Sequence, residues 1–405
     1  MNEYKTAKPL ILMTKPVGAQ CNMKCSYCYY LEKESLQHSA PRIMDDVTLE
    51  IFIKNYIKAQ NGGFAHFIWH GGESFMAGVD FYQKVVDLQY KYANGIEVIN
   101  SIQTNGTLID ENWCRFLKDN NWLVGVSIDG PQSIHDGYRR NKSGDGTFSK
   151  VMKSIELLSR YGIEWNAMAV VNNLNVVKPD EFYDFFCQIG CRYLQFTPVV
   201  ERITDSGRLA SYNQSGILTA ESVTPEHWGE FLCRVFDRWV CKDVGRIFVQ
   251  LFDATLASWL GEAPGLCSMS AVCGHAGVME RNGDIYSCDH FVFPDYRLGN
   301  IHKDSLSEIM NGASQSQFAN MKTGSLSSKC RQCGFLFACY GECPKNRFVI
   351  DSGERQNFLC EGYKKYFVHV KPYMEFMATE YLSNRAPANV MKWHESLKIS
   401  DTDRA

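Results

Sequence analysis

The chain has 405 residues, 45% of them hydrophobic and 21% charged, which is an ordinary composition for a soluble globular protein with two or more structural units. A formal net charge of −3 provides no basic footprint for nucleic acid or an anionic membrane, and no apolar run is long enough to span a bilayer. The polar segment 1–8 lacks the apolar core of a secretory signal, so we expect a cytoplasmic protein that binds neither nucleic acid nor membrane.

Strand-like and helix-like segments alternate from residue 9 to about residue 200. The predicted strands are Leu10–Thr14, Ala65–Trp69, Glu97–Gln103, Leu123–Ile128, Asn166–Val171 and Tyr193–Pro198. The predicted helices between them are Thr48–Lys58, Phe81–Tyr92, Glu111–Asn120 and Phe148–Tyr161. This alternation predicts a parallel sheet with right-handed crossovers, covered by helices on both faces. Ligands of such folds bind beyond the carboxyl ends of the strands.

The regular alternation of strands and helices ends after about residue 200. A polar loop and helices, notably His227–Val240, occupy 201–265. Short segments, turns and cysteines follow, and Asn282-Gly283 predicts a hairpin between Gly277–Glu280 and Asp284–Ser287. The segment Tyr363–Leu382 has a helical pattern.

Three cysteines follow the first predicted strand in the spacing C-x3-C-x2-C: Cys21, Cys25 and Cys28. A cubic iron–sulfur cluster normally takes four thiolates. Three close cysteines therefore indicate a cluster with one iron left open to bind another molecule. A zinc knuckle is the alternative, but zinc sites usually pair C-x2-C motifs and close with a fourth ligand.

Eight more cysteines lie between residues 267 and 360. Because a reducing compartment disfavours disulfides, this clustering indicates metal. The segment Cys339-x3-Cys343-Pro344 is similar to the end of a bacterial ferredoxin run, in which the last cysteine ligates the other cluster. By that analogy we assign one cluster to Cys267, Cys273, Cys288 and Cys343, and a second to Cys330, Cys333, Cys339 and Cys360. Zinc fits four-cysteine sets equally well, and only the first triplet favours iron–sulfur.

The other five cysteines are scattered and are interpreted as buried inert thiols. They are Cys114, Cys187, Cys191, Cys233 and Cys241.

With its triplet on a barrel-like fold, the chain resembles the radical S-adenosylmethionine (SAM) enzymes. Gly71-Gly72-Glu73 is similar to their glycine-glycine-glutamate motif, although Ser74 stands where proline is usual. The later cysteine spacing resembles the SPASM domain of peptide-modifying members. Within that group the likeness is strongest to anaerobic sulfatase-maturating enzymes, through Ser127-Ile128-Asp129-Gly130-Pro131, Arg139, Gln195-Phe196 and Cys288-Asp289.

The resemblance implies a role for each matching residue. The cluster of Cys21, Cys25 and Cys28 would chelate SAM through its open iron and reduce it to methionine and a 5′-deoxyadenosyl radical. The expected SAM contacts are Tyr27, Gly71, Gly72, Glu73, Ser127, Arg139 and Val200. Asp289 matches the family's catalytic base. On the residues alone, His290, Asp284 and Asp295 compete for that role, and a histidine would be the usual choice on intrinsic pKa.

The resemblance also implies an α/β architecture: a partial (β/α)6 TIM-like barrel of the radical SAM type, followed by a small cysteine-rich SPASM domain and a C-terminal helix. We expect the barrel in 1–235, a helical connector in 236–265, the SPASM domain in 266–362 and a helical tail in 363–405.

The implied reaction oxidises one cysteine or serine of a sulfatase to Cα-formylglycine, with SAM and three [4Fe–4S] clusters as cofactors. The implied partners are an unfolded or nascent sulfatase carrying a C/S-x-P/A-x-R motif and an electron donor such as flavodoxin or ferredoxin. One alternative is another SPASM peptide maturase that forms thioether or carbon–carbon crosslinks. A non-catalytic electron-transfer or zinc scaffold is a third class.

Overall fold

The computed structural model describes residues 10–31, 33, 42–60, 63–274 and 276–402, with side chains up to residue 396. The segment 1–8, on which the expectation about a secretory signal depends, lies outside these ranges. Within them, every helix is too short or too polar to cross a bilayer.

The described residues form fourteen strands and fourteen α-helices. The strands are β1 Ile11–Thr14, β2 Phe64–Trp69, β3 Glu97–Thr104, β4 Leu123–Ser127, β5 Trp165–Val171, β6 Tyr193–Pro198, β7 Arg202–Ile203, β8 Ile217–Leu218, β9 Phe248–Val249, β10 Ala276–Met279, β11 Asp284–Tyr286, β12 Arg297–Asn300, β13 Val349–Asp351 and β14 Glu354–Gln356. The helices are α1 Asp46–Lys58, α2 Val79–Tyr92, α3 Glu111–Asp119, α4 Gln132–Tyr138, α5 Phe148–Arg160, α6 Pro179–Gln188, α7 Pro225–Lys242, α8 Gln250–Trp259, α9 Leu306–Asn311, α10 Ala313–Gly324, α11 Ser328–Arg331, α12 Leu336–Cys339, α13 Cys360–Leu382 and α14 Val390–Thr402.

The contacts divide the chain into two compact units. The first comprises 1–127, 136–165 and 274–320, and the second comprises 128–135, 166–273 and 321–405. The bounds of the four segments expected from the sequence stay predictions.

The first unit contains a sheet in the order β12-β11-β10-β1-β2-β3-β4. Strands β1 to β4 are parallel, and β10 joins β1 in parallel, with Leu12 opposite Gly277. Strands β10 and β11 pair antiparallel as the predicted hairpin. The parallel strands end together, so the loops after β1, β2, β3 and β4 share one edge of the sheet.

Aromatic side chains dominate the core of the first unit. Trp69 at the end of β2 is fully buried and makes edge contacts with Phe52 on α1 and Tyr82 on α2. Asp45 begins α1 by accepting from the backbone N–H of Thr48, as is typical of an N-cap. The buried faces of α1 and α2 therefore pack against the end of β2.

In the second unit, β5, β6 and β9 are parallel neighbours. Helices α7 and α13 cross closely at two glycines, Gly229 and Gly362. The approach is so close that a Cβ on Gly229 would lie 2.9 Å from the Cα of Gly362. Two antiparallel ribbons, β7 with β8 and β13 with β14, complete this unit.

Candidate active site

The first cysteine motif lies on the loop that follows β1. Cys25 is buried, whereas Cys21 and Cys28 are half-buried. Burial raises the pKa of the Cys21 thiol to about 11 and also raises the pKa of Cys28. Such thiols ionise when metal binds, because a coordinated thiol is deprotonated outright. Three neighbouring thiols on one loop fit a cluster with one open iron.

The glycine motif after β2 packs directly against the residues that lead into the cysteine loop. The N–H of Gly72 donates to the carbonyl of Gly18, and the N–H of Glu73 donates to that of Gln20, both at 2.9 Å. A Cβ on Gly72 would lie 2.0 Å from the Gln20 oxygen, and one on Gly71 would lie 2.6 Å from the Gly18 oxygen. Only glycine allows this approach, so the motif shapes the loop before Cys21.

The Glu73 carboxylate is completely buried and ties the end of β2 to the end of β3. It accepts hydrogen bonds from Thr104 Oγ1 at 2.8 Å, from the Asn105 N–H at 2.7 Å and from the Phe75 N–H at 3.0 Å. Burial raises its pKa to about 7. The Asn105 side-chain amide in turn donates to Cys21 Sγ at 3.5 Å. Glu73 therefore positions the cysteine loop through Asn105.

Besides the glycine motif and Glu73, three more predicted SAM contacts lie in the first unit. The Arg139 guanidinium is buried, and its central carbon lies 5.7 Å from the centre of the Tyr27 ring. Tyr138 packs edge-on against the same ring. Ser127 ends β4, where its hydroxyl accepts a hydrogen bond from Gln103 Nε2 at 3.0 Å. These side chains lie on the loops or strand ends where a parallel sheet binds its ligand.

Val200 belongs to the second unit. It is buried, and its carbonyl accepts a hydrogen bond from Lys345 Nζ at 3.0 Å. Its expected contact with adenine stays a prediction.

Asp289 lies in a cage of tyrosines and lysines. Its Oδ2 accepts short hydrogen bonds from the hydroxyls of Tyr29 and Tyr30. Its Oδ1 pairs with Lys15 Nζ at 2.5 Å, and Lys33 Nζ donates to its backbone carbonyl at 2.7 Å. Each ammonium also covers a ring, Lys15 at 4.5 Å from Tyr30 and Lys33 at 4.6 Å from Tyr29.

This cage keeps Asp289 ionised. Burial alone would raise its pKa, but Lys15 and Lys33 hold the pKa well below its usual range. Burial raises the pKa of Tyr29 and Tyr30, so both hydroxyls keep the protons that they donate. The second partner of Lys15 is Glu280, at 2.9 Å.

The three competing candidates for the base lie in different settings. Asp284 pairs with Arg297 at 2.5 Å and accepts from Asn300 at 2.8 Å, which gives it a structural role between β11 and β12. Asp295 is exposed on a turn. The ring of His290 lies 5.1 Å from that of Tyr29, at the border of the cage.

Four cysteines of the later field line one cavity of about 250 Å³ in the second unit: Cys330, Cys333, Cys339 and Cys360. This donor set is the one that a four-iron cluster requires. Cys267, Cys273 and Cys343 lie in the second unit, and Cys288 lies in the first. Within the described ranges, no group of three or more His, Cys, Asp or Glu side chains is placed so that it could hold a single metal ion.

Comparisons with known proteins agree with this geometry. Residues 16–186 match the radical SAM superfamily, and residues 273–334 match SPASM, an iron–sulfur cluster-binding domain. The serine-type anaerobic sulfatase-maturating enzyme of Bacteroides thetaiotaomicron is 55% identical over 394 residues, which are 95% of either chain. The cysteine-type enzyme of Clostridium perfringens is 32% identical over 90% of this chain and 97% of its own.

A solved structure, native anSMEcpe with bound AdoMet and Cp18Cys peptide, superimposes with a TM-score of 0.82 at 32% identity. The match covers 92% of this chain and 99% of that one. Fold, site and domain matches together define a radical SAM enzyme with an iron–sulfur SPASM domain. The near full-length identities then place the chain within a narrower group: it belongs to the family of anaerobic sulfatase-maturating enzymes.

The predicted fold class, enzyme class and SPASM domain are confirmed, and iron–sulfur is favoured over zinc. The roles of individual cysteines, SAM contacts and Asp289 stay predictions.

Sequence reasoning missed four residues of the cage, and three of them left a weak signal. Tyr29 and Tyr30 directly follow Cys28, and Lys15 follows the apolar strand β1 at its carboxyl end. Lys33 left no signal beyond its position near the motif.

Proposed function

We propose that this protein oxidises one serine or cysteine side chain of a sulfatase polypeptide to Cα-formylglycine without oxygen. The observation that carries the proposal is the position of Asp289, whose buried carboxylate is held by the two tyrosines directly after Cys28. A proton acceptor thereby lies next to the loop that carries the first cysteine motif. The 55% identity to a serine-type sulfatase-maturating enzyme supports the same reaction.

The first motif is proposed to bind the radical-generating cofactors. Cys21, Cys25 and Cys28 would hold one [4Fe–4S] cluster with SAM at its open iron. When bound, the cluster and SAM together would supply a 5′-deoxyadenosyl radical that takes a hydrogen atom from the target β-carbon. Arg139 would hold the SAM carboxylate, because its planar fork of donors matches a carboxylate. Backbone carbonyls at Gly71 and Gly72 would accept from the SAM ammonium.

Asp289 is proposed to take the hydroxyl or thiol proton of the target. A carboxylate with a strongly lowered pKa is a weak base, so it can deprotonate only an acidic partner. Loss of hydrogen from the β-carbon provides that partner, because a radical centre beside oxygen or sulfur makes the attached proton far more acidic. The cage therefore favours proton transfer after hydrogen abstraction rather than before it.

The remaining electron is proposed to leave through the later cysteines. We assign the first auxiliary cluster to Cys267, Cys273, Cys288 and Cys343, and the second auxiliary cluster to Cys330, Cys333, Cys339 and Cys360. Asp289 directly follows Cys288 in the chain, which would place proton and electron loss beside each other. The first cluster needs a one-electron donor, for which a flavodoxin or ferredoxin is suited.

Serine is the proposed target residue. Identity to the serine-type relative is 55%, against 32% for the cysteine-type relative of Clostridium perfringens. The expected context is C/S-x-P/A-x-R in a sulfatase that is unfolded or still being synthesised.

The test uses two matched peptides that differ only in serine or cysteine at the target position. Anaerobically reconstituted protein, SAM and dithionite should convert the serine peptide to an aldehyde that reacts with a hydrazide probe. An aldehyde must be trapped because a crosslink also removes two hydrogen atoms. A crosslinked product without an aldehyde would favour the other SPASM maturases, and absence of 5′-deoxyadenosine would refute a radical SAM reaction.

A further inference from the structure

Lys322, near the end of α10, is fully buried beside cysteines assigned to the first auxiliary cluster. Its side chain has no exposed surface, and its Nζ donates to the carbonyl of Cys267 at 2.8 Å and to that of Ser268 at 2.7 Å. A buried lysine is rare unless partners compensate for lost hydration. Two backbone carbonyls supply that compensation without neutralising the charge.

Arg347 adds a second buried cation to the same unit. It is 2% exposed, and its charge is permanent because a guanidinium stays protonated in proteins. Its donors reach Gly341 O, Lys322 O, Tyr340 O, Glu342 O and Ser325 Oγ. All these acceptors are uncharged, so the hydrogen bonds replace the lost hydration of Arg347 without neutralising its positive charge.

Both cations lie beside cysteines assigned to the first auxiliary cluster. Lys322 contacts the backbone of Cys267 directly, and Arg347 donates to the carbonyl of Glu342, the residue before Cys343. Glu342 is the opposing charge: it is 6% exposed and accepts from Asn357 at 2.7 Å.

We propose that Lys322 and Arg347 raise the reduction potential of the first auxiliary cluster and thereby make it the acceptor of the second electron. Nearby charge and hydrogen bonding tune iron–sulfur potentials, and positive charge stabilises the reduced, more negative state. In the step concerned, the deprotonated substrate radical is oxidised by one electron, and this cluster is reduced by one. Glu342 offsets part of the effect. The inference rests on the proposed assignment of that cluster's cysteines.

The test is a potentiometric titration of the fully reconstituted protein, followed by electron paramagnetic resonance. The first auxiliary cluster is identified by the signal that disappears in Cys273→Ala. Lys322→Gln keeps a donor for the carbonyls but removes the charge, so this midpoint potential should shift to a more negative value. Glu342→Gln keeps an acceptor for Asn357 but removes the opposite charge, so the midpoint should become more positive.

The control is Lys371→Gln, which removes one exposed charge from α13 and should move no midpoint. An unchanged midpoint in Lys322→Gln would overturn the proposal. If that variant loses iron, Glu342→Gln decides, and an unchanged or more negative midpoint then overturns it. If every cluster signal persists in Cys273→Ala, the cysteine assignment is refuted, and this inference with it. Iron content and formylglycine yield of the wild type test the proposed function separately.

Discussion

Tyr30 donates a hydrogen bond to Oδ2 of Asp289, although 259 positions separate the two residues in the chain. Tyr29 makes the same contact, and Lys15 pairs with the other carboxylate oxygen at 2.5 Å. The loop of the first cysteine motif and the residue after Cys288 thus form one buried polar structure. Any displacement of that loop will move the proposed base with it.

Replacement of Asp289 by asparagine should separate radical formation from peptide oxidation. The amide cannot accept the substrate proton, whereas the first cysteine motif is unchanged. We expect 5′-deoxyadenosine to form at a rate similar to wild type, while aldehyde formation falls by about 10²- to 10⁴-fold, the usual contribution of general base catalysis. Both products are quantified in the same anaerobic reaction by mass spectrometry.

The matched control for this prediction is Asp295→Asn, an exposed carboxylate six positions later in the chain. It should oxidise peptide at the wild-type rate. Wild-type aldehyde yield from Asp289→Asn would exclude Asp289 as the base and return His290 to consideration.

Replacement of Lys15 by methionine should destabilise the first unit strongly. Lys15 is fully buried between Glu280 and Asp289, so its loss leaves two buried carboxylates without their cation. Breaking a buried ion pair in this way costs about 3–5 kcal/mol of unfolding free energy. Lys84→Met breaks an exposed pair with Asp46 and should cost at most about 1 kcal/mol. Equal denaturation midpoints for the two variants would contradict this reading of the cage.

The strands of the barrel were predictable because their signal is local. The six predicted strands are all formed, each with ends within one residue of those predicted, since an apolar run between turn residues needs no tertiary information. Helix α6, Pro179–Gln188, was not predicted. Four of its ten residues are buried phenylalanine or tyrosine, which fit a strand as well as a helix.

The cage around Asp289 could not be predicted, because its members come from the residue after β1, the cysteine loop and a turn after β11. Nothing in the sequence indicates which carboxylate a given tyrosine or lysine will contact in the fold. The sequence predicts a glycine at position 72 so that its backbone can approach SAM. The structure adds a second reason for glycine there, because a Cβ would clash with the carbonyl of Gln20. Long-range contacts of this kind depend on the parallel pairing of β10 with β1.

Replacement of Gly72 by alanine should disturb the first cluster while leaving the auxiliary clusters in place. The new Cβ would lie 2.0 Å from the Gln20 carbonyl oxygen, so the segment before Cys21 must shift. Overpacking of this kind costs about 1–3 kcal/mol. We expect SAM cleavage to be lost and iron content to fall by about one third, if each of three clusters holds four irons. Gly63→Ala, where a Cβ meets nothing within 4 Å, should keep both.

The stability of the protein should depend on pH through Glu73. Burial raises its pKa from 4.5 to about 7, so the folded state favours the neutral carboxyl. The stability that this group contributes is therefore present below the unfolded pKa and is lost as the pH rises toward 7. The unfolding free energy of wild type relative to Glu73→Gln should fall by about 2–3 kcal/mol between about pH 5 and about pH 8. A difference that stays constant with pH would contradict the raised pKa.

Removal of one thiol from the cavity of the second unit should remove one complete cluster. Cys339 lines that cavity with Cys330, Cys333 and Cys360, and alanine at 339 leaves three ligands. With three clusters, wild-type protein should carry about twelve irons and Cys339→Ala about eight, because each cubic cluster needs its full set of ligands here. Cys233→Ala removes a buried thiol from α7 and should keep the wild-type iron content. Iron and acid-labile sulfide are measured on anaerobically purified protein; stoichiometric zinc, or equal iron in the two variants, would show that this cavity holds no iron–sulfur cluster.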